Sequence, residues 1–186
     1  MGLHDIVTIG GDVSGTFYAG EIDWKWVPGG QDIYTYCVDI LNEVTDPQTV
    51  RISDTTDPEM QLSTTATDAG AKAAWLLNKY ASDIHAGGSG LEAAALQVAI
   101  WEAISDDAYN LTAGSFQLAA GGVFDKAQEY LGALATADYH SSVAIWLDAT
   151  RATGGGQDQI ATPEPSSLTL LGVAGLFVRR RKQKSS

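Results

Sequence analysis

The stretch Leu91-Glu92-Ala93-Ala94-Ala95-Leu96-Gln97-Val98-Ala99-Ile100-Trp101-Glu102-Ala103-Ile104-Ser105-Asp106-Asp107 decides how the rest of the chain is read. It has no Gly or Pro and is rich in Ala and Leu, so it reads as a helix. At about 100° per residue, Ala93, Ala94, Gln97, Ile100, Trp101 and Ile104 share the face expected to meet the core. Glu92, Ala95, Ala99 and Glu102 take the other. Gln97 therefore sits in the middle of an apolar stripe. A buried amide without partners costs about 1–3 kcal/mol, so Gln97 needs a reason to be there. Two reasons are open: hydrogen bonds to backbone, or a carboxamide consumed in a covalent bond.

Upstream, Thr16 to Trp26 alternates, with Tyr18, Ile22, Trp24 and Trp26 on one side, and reads as a half-buried strand. Pro28-Gly29-Gly30 signals a turn. Asp32 to Leu41 reads as a second strand, completing a hairpin. Tyr34, Tyr36, Val38 and Ile40 make its apolar face, and Cys37 lies opposite with Ile33, Thr35 and Asp39. Thr49 to Ser53 is a short strand in a polar stretch. Asp68 to His85 reads as a helix, with Asp68 as N-cap. Ser89 caps the Gln97 helix with Glu92 three residues on. Tyr109 to Gly122 reads as loop and Val123 to Asp138 as a third helix. Ser142 to Asp148 and Gln157 to Ile160 are late strands. Strands, then helices, then strands imply an α+β fold, an antiparallel β-sandwich or barrel-like body with an inserted three-helix lobe. The body spans 1–160, with the helical insertion at about 68–138. A linker follows at 161–166, then a short hydrophobic helix and basic tail at 167–186.

Of the 186 residues, 23 are acidic and 11 basic, and five of the basic ones are Arg179, Arg180, Arg181, Lys182 and Lys184. The body ahead of them is strongly acidic. Such a surface is repelled by nucleic acid and by anionic lipid. Cys37 is the one cysteine, so no intramolecular disulfide is available. Met1 to Val7 has no basic n-region and no long apolar run, and does not read as a secretory signal peptide. No His or Cys pair has metal-ligand spacing, and Asp54 to Glu59 lacks the glycine of a calcium loop, so neither metal nor cofactor is expected.

Thr162-Pro163-Glu164-Pro165 leads into Leu168 to Val178, eleven residues without charge, closed by Arg179-Arg180-Arg181-Lys182. At about 1.5 Å per residue this run falls well short of the roughly 30 Å of a membrane core. The basic cluster after it reads as a cytoplasmic stop. The combination of Pro163, Glu164 and Pro165 with a short apolar segment and Arg179, Arg180 and Arg181 resembles a PEP-CTERM sorting signal. That resemblance implies export, transient membrane anchoring through the C-terminal segment, and processing by an exosortase, with a final location in the cell envelope or outside the cell.

Tyr36-Cys37-Val38 on a strand and Leu96-Gln97-Val98-Ala99-Ile100-Trp101 on a helix resemble the two signature motifs of bacterial thioester domains. In that family the Cys thiol and the Gln carboxamide condense, with release of ammonia, into an internal thioester. The resemblance implies a Cys37–Gln97 cross-link, with Trp101 shielding it from water. It also implies covalent attachment to an amine-bearing surface ligand, such as a protein lysine or a polyamine. This would be a single event rather than enzymatic turnover. Two other readings remain. An exported structural or matrix protein would carry the same tail with no reactive bond in use. A cysteine hydrolase would need His4, His85 or His140 as a base for Cys37, and no local motif supports one.

Overall fold

The computed structural model describes residues 2–12, 14–27, 30–57, 66–149 and 156–162. Pro163, Glu164, Pro165, Arg179, Arg180, Arg181 and the expected C-terminal hydrophobic helix lie outside the described residues. Among the described residues eight strands and three helices run in the order β1 (His4–Gly11), β2 (Gly15–Gly20), β3 (Ile22–Lys25), β4 (Asp32–Cys37), β5 (Arg51–Asp54), α1 (Ala69–Gly87), α2 (Gly90–Ser105), β6 (Phe116–Leu118), α3 (Gly122–Leu134), β7 (Ile145–Asp148) and β8 (Gln159–Ala161).

The α+β class stands, but the described strands close no barrel. The strands form two open antiparallel sheets, β2-β1-β6 and β3-β4-β8-β7-β5. The three-stranded sheet packs chiefly on α2, which also touches β4 and lies against both α1 and α3. A helix thus occupies the place between sheets that a sandwich would fill with side chains from both.

The expected strand Thr16 to Trp26 is two strands in two sheets. β2 pairs with β1 and β3 with β4, and the chain changes sheets at Gly20-Glu21. Gly20 has φ +141°, and a Cβ there would sit 2.3 Å from the Leu3 carbonyl oxygen. Glu21 N donates to that same oxygen at 2.8 Å, so the close approach is what fastens the break to the N-terminal segment. One consequence is that Tyr18, expected on the inner side, is 67% exposed, while Ala19 is buried. β1 was not expected; its Val7 and Ile9 are buried on one face. β6 falls in the stretch read as loop, and it adds a strand inside the span read as helical.

The helices form near their expected places, with caps that divide. Ser89 and Glu92 form the full capping box. Asp68 does not cap α1: it is left-handed (φ 50°), makes no side-chain cap hydrogen bond, and contributes its carbonyl to Lys72 N at 3.0 Å. α2 is buried on every side. Ala95, Ala99 and Glu102, expected to face outward, are as inaccessible as Ala93 and Ile100. Its small residues let α1 and α3 approach closely, and an all-round apolar helix has no outer face to present.

Candidate functional site

Register places Cys37 at the end of β4. The β3–β4 ladder reaches only Ile22 opposite Thr35, whereas β4 and β8 pair through Cys37 opposite Gln159. The Cys37 amide and carbonyl point toward the β3 side, where that ladder has stopped. Gln97 of α2 takes the vacant place. Cys37 N donates to Gln97 Oε1 at 2.8 Å, and Gln97 Nε2 donates to Cys37 O at 2.7 Å. The side-chain amide acts as one rung of a sheet, and every backbone group at Cys37 is satisfied.

The thiol lies under cover. Cys37 is 3% exposed, Gln97 1% and Trp101 3%. Asp39 N donates to Cys37 Sγ at 3.3 Å. Burial pushes the thiol pKa up to about 12; the Asp39 amide and the Trp101 indole pull it down, and the Asp39 and Asp158 carboxylates raise it further. The neutral thiol is the resting form. Trp101 is held edge-on by Phe17 (centroids 6.4 Å apart) and tilted against Phe116 (6.0 Å). The structure therefore brings Cys37, Gln97 and Trp101 to one point.

A cavity of about 520 Å³ opens beside this point, lined by Cys37, Gln97 and Trp101 together with Phe17, Tyr18 and Leu41. Besides Cys37 and Tyr18, its titratable lining residues are His4, Glu21 and Glu43. Glu21 is buried, and its pKa is raised chiefly by desolvation, against the pull of His85. His85 Nδ1 lies 3.1 Å from Glu21 Oε1, and its ring stacks on Tyr34. His4 Nδ1 is engaged by the Gly2 carbonyl oxygen at 2.8 Å, and His140 pairs with Asp68 at 3.3 Å. No histidine bonds Cys37. Among the described residues no three His, Cys, Asp or Glu side chains are grouped to hold a metal ion.

The contribution of β1 and β2 to the cavity wall escaped the sequence reading. The available signal was the alternation of Val7 and Ile9 in His4–Gly11. A buried Glu102 also escaped it. Its Oε1 accepts from Asn110 N at 2.7 Å, and burial, with the nearby Asp106 carboxylate, raises its pKa to about 7.

A family model described as the PEP-CTERM protein-sorting motif matches residues 161–182. The chain carries a PEP-CTERM sorting signal. The match takes in Pro163, Glu164, Pro165 and Arg179 to Arg181, and begins on the last residue of β8. The signal implies an exported protein, sorted and processed by an exosortase. Among the described residues no helix is long and apolar enough to cross a membrane. No curated protein and no solved structure matches the chain.

Proposed function

We propose that this exported protein forms an internal thioester between Cys37 and Gln97 and uses it for covalent attachment to amine nucleophiles at a surface. The observation that supports the reading is the two-point seating of the Gln97 carboxamide on the Cys37 backbone, beneath Trp101 and beside an open cavity. The Cys37 sulfur attacks Gln97 Cδ; the S–C bond forms, the C–N bond breaks, and the thiol proton leaves with the amide nitrogen as ammonia. The Cys37 N–H, already on Oε1, polarises the carbonyl and stabilises the oxyanion. An incoming primary amine reverses the loss: its nitrogen bonds to Cδ, the S–C bond breaks, and the sulfur regains a proton. The acidic surface favours cationic amines over anionic ligands. Each molecule reacts once, so the protein is not an enzyme. Cell adhesion or attachment within a biofilm matrix is the role such chemistry serves.

The same two hydrogen bonds favour a second reading, an exported structural protein in which Gln97 is a fully satisfied core amide. Labelling with a biotinylated primary amine separates the two. The thioester reading expects one adduct per chain, located at Gln97 and lost in Cys37→Ala. An adduct that survives in Cys37→Ala, or none in the wild type, leaves the structural reading.

A further inference from the structure

Two N–H groups serve the Cys37 sulfur. One is the Asp39 amide, which donates to Sγ at 3.3 Å. The other belongs to Trp101. It sits one turn after Gln97 on α2, so the two side chains leave the same face of the helix, and both line the cavity with Cys37. The Trp101 ring is clamped by Phe17 of β2, edge-on at 6.4 Å, and by Phe116 of β6, tilted at 6.0 Å. Both clamps come from the three-stranded sheet, whereas Cys37 belongs to the five-stranded one. The indole therefore keeps its place without help from the sulfur.

Its N–H is left over. Trp101 Nε1 is buried and forms no full hydrogen bond among the described residues. Shut off from water, it is completed from inside the protein or not at all. The group at hand is the sulfur. Burial pushes the Cys37 thiol up to about 12, and the Asp39 amide and the Trp101 indole are the two groups that pull it down. A neutral thiol is a weak acceptor and leaves the indole N–H almost unused. A thiolate is a strong one. A rigid buried donor, idle at rest beside an atom that becomes charged, has the form of a preorganised anion site.

We propose that the Trp101 indole N–H and the Asp39 amide form a thiolate hole, which stabilises the charge on the Cys37 sulfur as the Cys37–Gln97 thioester forms and opens. The role rests on the thioester reading and gives Trp101 a task beyond excluding water. In formation, the sulfur gives up its proton and attacks Gln97 Cδ as a thiolate; the proton leaves with the amide nitrogen as ammonia. In opening, the amine nitrogen bonds to Cδ and the S–C electron pair returns to the sulfur. The proton shed by the amine then neutralises it. In both directions the sulfur passes through the charged state that the two N–H groups favour. The Cys37 N–H, on Gln97 Oε1 at 2.8 Å, serves the oxygen instead. The two charges of the reaction thus have separate donors.

The test is the rate of methylamine addition to the full chain, followed by intact mass, in the wild type and in Trp101→Phe. The variant keeps an aromatic ring between Phe17 and Phe116 and removes the N–H. It is expected to add methylamine at least about tenfold more slowly at the same pH. Shielding alone predicts the opposite sign, because a smaller ring admits amine more readily. Equal or faster addition therefore overturns the proposal while the thioester stands. A wild type at the full calculated mass overturns the thioester and this role together. Should Trp101→Phe fail to fold or to condense, the wild type answers by NMR. Opening with methylamine is expected to move one of the five indole N–H resonances downfield, as a thiol replaces the thioester sulfur. Five unmoved resonances overturn the proposal.

Discussion

Gln97 completes the sheet at Cys37: its carboxamide accepts from the Cys37 N–H at 2.8 Å and donates to the Cys37 carbonyl at 2.7 Å, across 60 residues of sequence. The pairing holds a carbonyl carbon and a thiol on neighbouring, rigid elements. In the uncondensed chain Gln97 is structural as well; condensation removes Nε2 and with it the bond to the Cys37 carbonyl. Gln97→Leu leaves the Cys37 N–H and C=O buried and unpaired, at about 1–3 kcal/mol each. Urea unfolding is expected to show a loss of about 2–5 kcal/mol, and a variant within experimental error of the wild type would contradict the geometry.

The cross-link makes a separate prediction. A bond between positions 60 apart constrains the unfolded chain, and chain-entropy treatments of a loop this long give about 4 kcal/mol. Methylamine opens the thioester without changing the sequence. The treated protein should unfold at lower urea than the untreated protein. Identical unfolding curves, with the adduct present, would show that the bond contributes nothing to stability.

Glu102 gives a pH dependence of definite sign. Its pKa is about 7 folded against an ordinary 4.5, because burial and Asp106 disfavour the charge. The folded state binds the proton more tightly, so the contribution is present below pH 4.5 and is lost as pH rises toward 7 and above. The difference corresponds to up to about 3 kcal/mol. Glu102→Gln keeps an acceptor for Asn110 N and removes the charge. It should be more stable than the wild type at pH 8 and lose that advantage near pH 4.5. A variant less stable at both pH values would sink this account of Glu102.

Gly20 marks where the chain changes sheets. Its φ of +141° is open to glycine alone, and a Cβ would collide with the Leu3 carbonyl oxygen. Gly20→Ala is expected to cost more than about 2 kcal/mol in thermal or urea unfolding, whereas Gly132→Ala, in a helix with open space at that position, should be neutral or stabilising. Equal effects of the two would contradict the proposed role of Gly20.

Local patterning carried much of the fold and little of the site's surroundings. β4 and α2 are legible because each has a long, consistent period and, for α2, a capping box. The split between β2 and β3 is not, because Tyr18, Ile22, Trp24 and Trp26 keep their alternation through Gly20 while the backbone turns into another sheet. β1 and β6 gain their order from each other and from α2, through pairings more than 100 residues apart, such as Ile9 with Leu118. The burial of Ala95, Ala99 and Glu102 also depends on α1 and α3 arriving from both sides. Cys37 and Gln97 were paired from motif resemblance; nothing in a spacing of 60 residues places a strand end beside a helix face.

Intact mass of the purified protein, with and without methylamine, reads the Cys37–Gln97 bond itself. A Cys37–Gln97 thioester gives a mass one ammonia below that calculated from the sequence, replaced on treatment by a single methylamine adduct at Gln97. The full calculated mass, unchanged by methylamine, with Cys37 reacting with thiol reagents only after unfolding, would contradict it and leave an exported structural protein whose Gln97 serves the sheet alone.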